Sequence, residues 1–176
     1  MDVRKIADGL WRWTAPHPEW VPEKGGPGGW EREVGCVYYE APEDLVLIDP
    51  LVPPESTPDA EKFWNALDGD VARVGRPIAV VITVRWHGRS AAAIVERYGA
   101  TRAVRVLVPE AARPHVAAPV TGTFLPGGSP VAGVASFDAE GADGGEVLLW
   151  IPEHGALVAA DVLIGAGGGA IRTTPP

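Results

Sequence analysis

Ala79-Val80-Val81-Ile82-Thr83 leads into Val84-Arg85-Trp86-His87-Gly88-Arg89-Ser90, and Ala91-Ala92-Ala93-Ile94-Val95-Glu96-Arg97-Tyr98 follows at once. The first run is apolar without alternation, which predicts a short strand buried on both faces. The third is alanine-rich, with Ile94, Val95 and Tyr98 on one face and Gly99 behind it, which predicts a helix with a glycine stop. Between them lies a loop holding one histidine, two arginines and a serine. A strand, a polar loop and a helix in immediate succession make one step of a layered α/β or α+β fold.

The same grammar extends in both directions. Upstream, Val3 to Ile6 and Leu10 to Thr14 flank Asp8-Gly9, a hairpin signal. Ala15 to Glu33 is a long loop rich in proline and glycine that holds His17, Trp20 and Trp30; loops of that length are often functional. Val34 to Tyr39 and Leu45 to Ile48 form a second hairpin around Pro42-Glu43-Asp44, and Asp49-Pro50 closes it. Thr57-Pro58 reads as N-cap and first helical residue, and Ala60, Phe63, Trp64 and Leu67 give that helix one apolar face. Downstream come a strand over Ala103 to Val108 and a short helix or turn over Pro109 to His115. Strands alone then follow, at Val120 to Leu125, Val134 to Phe137, Glu146 to Ile151 and Ala156 to Ala160.

This order resembles the metallo-β-lactamase superfamily, whose metal-binding signature is a strand ending in His-x-His-x-Asp-His before a helix. Three further segments carry the resemblance. Leu45 to Asp49 is similar to the family's early strand that ends in aspartate. Gly141 to Val147 stands where the family has Gly-His-Thr-Pro-Gly-Ser. Ile151 to Asp161 is similar to the strand pair that leads to the bridging aspartate. The resemblance implies a single domain over residues 1–176, an αββα sandwich, with the family's last elements outside the chain.

Carried over residue by residue, the resemblance implies a site poor in ligands. Arg85, Arg89 and Ser90 replace a histidine, the aspartate and another histidine, and His87 keeps the second histidine position. Ala142 replaces the histidine of the next motif, Asp161 keeps the bridging carboxylate, and the position of the final histidine lies beyond Pro176. A hydrolytic zinc takes three protein ligands and a water whose pKa it lowers toward about 7. His87 and Asp161 fall short of that number, so the expectation is no metal and no cofactor. A mononuclear site that recruits Asp143 or His154 is the competing reading. Emptying such a site of metal leaves carboxylates that need a cation. Arg85 and Arg89 are therefore read as replacements for the metal charge, pairing with Asp49 or Asp161, against the alternative that they point to solvent. Ser90 is most simply a helix N-cap. Trp20, Trp30 and Trp86 either line an apolar ligand pocket or pin the long loop, while Trp64 and Trp150 read as core.

Composition narrows the function. A formal charge of −8 disfavours nucleic acid and anionic membrane surfaces, whose phosphates would be repelled. The single cysteine, Cys36, sits in an apolar stretch and reads as a buried, inert thiol. No secretory leader pattern is visible, which gives the expectation of a cytoplasmic protein. There is no Gly-x-Ser-x-Gly elbow, no zinc-knuckle spacing, and Gly165–Gly169 lacks the lysine of a phosphate loop. Two functions remain. One is a degenerate superfamily member without the dinuclear zinc site, acting by binding a small molecule or non-catalytically. The other is a hydrolase-like enzyme that uses His87 and Asp161, with a remnant mononuclear metal or with His87 as a metal-free general base.

Overall fold

The computed structural model describes residues 1–26, 29–139, 145–165 and 170–173. Its large sheet has seven strands in sequence order: β1 (Val3–Ala7), β2 (Leu10–Pro16), β3 (Glu33–Glu40), β4 (Leu45–Ile48), β5 (Ile78–Val81), β6 (Val104–Pro109) and β7 (Gly122–Phe124). Pairing is antiparallel from β1 to β4 and parallel from β4 to β7. Parallel pairs need long crossovers. Helix α1 (Pro58–Val74) fills the one between β4 and β5, and α2 (Ala91–Tyr98) the one between β5 and β6. A three-stranded sheet of β8 (Ala135–Asp138), β9 (Val147–Ile151) and β10 (Ala156–Val158) forms a second layer, and β11 (Leu163–Gly165) pairs with β12 (Ile171–Thr173).

The strands β4 and β5 are apolar throughout because both of their faces are covered. On one face Leu45, Leu47, Ile78 and Val80 pack against Phe63, Leu67 and Val71 of α1 and Ile94 and Tyr98 of α2. On the other, Val46, Ile48, Ala79 and Val81 meet Val147, Leu149 and Ile151 of β9. Each of the buried Val, Leu, Ile and Phe side chains contributes about 1.5–3 kcal/mol by leaving water. β9 alternates, so Leu148 and Trp150 face outward with the exposed Phe137 and Leu157. Among the described residues no helix covers that outer face, and none is long and apolar enough to cross a membrane. Cys36 is buried, its Sγ accepts the Leu51 N–H at 3.2 Å, and burial pushes its thiol up to about 12.

Three local expectations are corrected. Thr57 stands at the N-cap of α1, but its hydroxyl donates to the Pro54 carbonyl at 2.7 Å and leaves the helix N–H groups alone. Ser90 likewise precedes α2 without capping it, because its Oγ accepts the Val52 N–H at 2.9 Å and ties the β4–α1 connection to this turn. Trp150 is not a core residue, being half-buried on the outer face of β9, whereas Trp64 is half-buried beneath the Arg97 guanidinium and packs against the core. The core tryptophan is Trp13, 5% exposed, whose indole N–H donates to Leu51 O at 3.0 Å.

Candidate functional site

In an open sheet with parallel strands, ligand sites lie beyond the carboxyl ends of the strands. β4 ends in Asp49 and β5 runs into Thr83 and the 84–90 turn, so these adjacent ends place their polar residues side by side. The second sheet closes on the same point, because the Val147 N–H donates to Thr83 O at 3.0 Å where β9 begins. Asp161 arrives from the turn after β10.

The side chains converge on His87, which is 4% exposed. Its Nδ1 lies 3.0 Å from Asp49 Oδ2 and its Nε2 lies 3.4 Å from Asp161 Oδ1. Asp49, itself 4% exposed, is also held by Thr83: the Thr83 N–H donates to Oδ1 at 2.8 Å and the Thr83 hydroxyl to Oδ2 at 2.5 Å. Asp161 Oδ2 accepts the Trp86 indole N–H at 2.7 Å. Burial alone would lower the His87 pKa. The Asp49 charge and the hydrogen bonds to Asp161 and Asp49 outweigh burial and the opposing Arg89 charge, and raise it to about 9. A ring with that pKa is an imidazolium at neutral pH, with a carboxylate oxygen 3.0 Å from Nδ1 and another 3.4 Å from Nε2. For Asp161, burial acts to raise the pKa, but the His87 hydrogen bond and charge, the Trp86 N–H and Arg89 together hold it below the ordinary value.

Backbone strain gathers here too. Among the described residues the non-glycine positions with positive φ are Asp49 (48°), Arg89 (26°) and Ala160 (45°). One is a member of the cluster, one lies two residues after His87 and one immediately precedes Asp161. Left-handed backbone at such residues is unfavourable and tends to concentrate at functional sites.

Sequence reasoning missed Glu146. It is 5% exposed, and its Oε1 accepts the backbone N–H groups of Asp161 at 2.7 Å and Val162 at 2.9 Å, fixing the turn that presents the Asp161 carboxylate. Burial raises its pKa, and the two N–H bonds oppose the shift. The one available signal was its position, an acid directly before the apolar run of β9.

The expected arginine replacement is corrected for Arg89. It forms no ion pair with Asp49 or Asp161 among the described residues. Its Nη1 reaches the Asp49 backbone carbonyl at 3.4 Å, and its Nε is buried without an acceptor. Among the described residues His87 lies within ion-pair distance of both carboxylates. Arg85 lies with its guanidinium 5.2 Å from the Trp86 ring centroid, and Trp86 is 47% exposed. In the long loop, Trp20 Nε1 donates to Trp30 O at 2.9 Å and His17 meets the Trp30 ring edge-on at 4.9 Å, so these residues brace the loop internally. The loop still borders a cavity of about 360 Å³ walled by His17, Trp20 and Arg32 among others. Burial and then the Arg89 charge lower the His17 pKa.

The described residues do not supply a zinc ion with three protein ligands. Carboxylate oxygens lie 3.0 Å from Nδ1 and 3.4 Å from Nε2 of His87, and the Arg89 charge acts on the same space. Among the described residues no group of three or more His, Cys, Asp or Glu side chains could hold a metal ion. His154 is not available to such a site, since it packs edge-on against Tyr39 toward the opposite end of the strands; Ala142 and Asp143 lie outside the described residues.

No family model matches the chain, and no curated protein does. Solved structures do match. The DIM-1 metallo-beta-lactamase aligns at 13% identity and a TM-score of 0.65, over 95% of this chain and 74% of its own. The metallo-beta-lactamase FIM-1 from Pseudomonas aeruginosa, in its mono-zinc form, aligns at 14% and 0.63, over 96% and 74%. A metallo-beta-lactamase family protein from Thermus thermophilus aligns at 15% and 0.58, over 91% of this chain and 61% of its own. This chain therefore spans between about three fifths and three quarters of the proteins it matches, and at such identities the likeness is one of architecture: it has the metallo-β-lactamase fold.

Proposed function

We propose that this protein is a degenerate form of its fold that acts as a metal-free small-molecule binder, with the His87 imidazolium in the role that metal charge plays in the hydrolases. The observation that carries the reading is the placement of His87 between Asp49 and Asp161, at 3.0 and 3.4 Å. A buried carboxylate, Asp49, and a partly exposed one, Asp161, both lie against the ring, and a cation there offsets their repulsion and the poor solvation of Asp49. The cavity in the long loop, walled by His17, Trp20 and Arg32 among others, is where a ligand would sit.

The hydrolase-like alternative asks His87 to accept a proton. A ring raised to about 9 already carries that proton at neutral pH, and a carboxylate oxygen lies within 3.4 Å of each ring nitrogen. The geometry favours binding over general-base catalysis for that reason. Elemental analysis of the purified full chain, before and after incubation with zinc and desalting, tests the reading. Metal well below one equivalent per chain in both samples is expected. Retention of about one or more transition-metal ions per chain would overturn it.

A further inference from the structure

The cavity of about 360 Å³ in the long loop is walled by four prolines, Trp20, His17 and Arg32. The proline rings and the indole make most of that wall apolar, and the Trp20 N–H is already held by Trp30 O at 2.9 Å. Among the described residues the lining holds no carboxylate, and its one permanent charge is the Arg32 guanidinium. Arg32 is exposed and forms no ion pair with any described residue. Glu31 and Glu33 flank it in the sequence, and neither enters the lining. His17 adds a donor: its Nδ1 accepts the Glu19 N–H at 3.2 Å, so the neutral ring carries its proton on Nε2. Of the charges that act on this ring, Arg89, His87 and Lys24 are positive and Glu19 is negative. Arg89 also lacks an ion pair among the described residues, and its Nε is buried without an acceptor.

We propose that this cavity takes a small organic acid with an apolar body, its carboxylate seated on Arg32. The inference rests on the binder reading above and names the class of its ligand. A guanidinium offers a planar fork of donors that a carboxylate matches with two parallel bonds, and such charge-assisted bonds are about twice as strong as neutral ones. The proline and indole wall takes the hydrocarbon part of the ligand out of water. An ammonium ligand would meet Arg32 with no carboxylate in the described lining to answer it. A neutral ligand of the same shape would gain the apolar contacts and leave the guanidinium to water. The chain as a whole carries a formal charge of −8, but salt screens charges beyond about 8 Å at physiological ionic strength, so the groups at the wall decide the sign of the ligand.

The test is a calorimetric titration of the full chain, at about 0.15 M salt, with benzoate and in parallel with benzamide, which has nearly the same shape and no charge. Benzoate is expected to bind at least about fivefold more tightly than benzamide. In a second arm, Arg32→Gln should bring benzoate to the level of benzamide and leave benzamide unchanged; the side chain is exposed, so the substitution does not enter the core. Equal affinity for the two ligands on the unaltered chain would overturn the acid class and leave the binder reading standing. A preference for benzoate that survives Arg32→Gln would overturn the placement of the carboxylate. Binding of neither ligand would overturn the proposal outright. The binder reading itself is decided separately, by the metal retained in the elemental analysis, which uses neither ligand.

Discussion

Strand β4 is bracketed by two buried aspartates, and they are held in contrasting ways. Asp44, before the strand, is 3% exposed and accepts two bonds from Arg105 Nη2, at 2.7 and 2.8 Å. Asp49, after it, is 4% exposed and is held by the threonine and histidine of the next loop. Asp44 and its arginine form a closed pair on ordinary backbone. Asp49 has left-handed backbone, and through His87 it is coupled to a third residue, Asp161, from another part of the chain. Burial of an acid therefore does not mark a site by itself. What separates the two ends is a titratable partner, a shared proton-bearing ring and strain in the surrounding turns.

The contrast gives graded expectations. His87→Ala has the largest effect, because it leaves Asp49 buried without a cation and faces Asp161 with a hole. A loss of about 3–5 kcal/mol in equilibrium denaturant titration is expected, and a loss below about 1 kcal/mol would remove the reason for distinguishing the two ends. The pH dependence comes next. The folded pKa of His87 is raised above its unfolded value near 6.5, so its contribution is fully present below that value and is lost as pH rises through about 9. The groups that face the ring, Asp49, Asp161, Arg89 and Glu146, set that window together. Stability should fall by on the order of 3 kcal/mol across it, and His87→Gln should flatten the slope; an unchanged slope in that variant would assign it elsewhere.

At the other end of the strand, Arg105→Ala should cost less, about 1–2 kcal/mol, because the arginine side chain is 47% exposed and water can reach the vacated space. A cost equal to that of His87→Ala would erase the contrast. Smallest of all is Trp86→Phe, which deletes one partly exposed N–H bond to Asp161 and should change stability by less than about 1 kcal/mol. A larger loss, measured in the same titration, would make the indole a structural member of the cluster.

Much of this architecture was legible in the sequence because it rests on local patterns. The apolar runs of β4 and β5, the i, i+3, i+4 face of α1 and the order of strands follow from burial on one or two faces. The meeting of His87 with Asp161 followed from the resemblance of their two segments to motifs of the metallo-β-lactamase superfamily. Side-chain partners were less accessible, since they depend on atoms brought together from distant segments. Thr57 and Ser90 stand at helix starts, yet their hydroxyls found other partners in Pro54 and Val52. Arg89 carried the expected charge, but its backbone at φ 26° and its bond to the Asp49 carbonyl turn it away from the carboxylates. Glu146 gave almost no signal, because its role is to accept two backbone N–H groups fifteen and sixteen residues away.

The central claim is that His87 is a buried cation between two carboxylates. Nitrogen-15 NMR of its imidazole, followed from acid to alkaline pH, tests it most directly. The account predicts a doubly protonated ring at neutral pH that titrates near 9. A ring found as a single neutral tautomer at neutral pH, titrating at or below about 6.5, would contradict it.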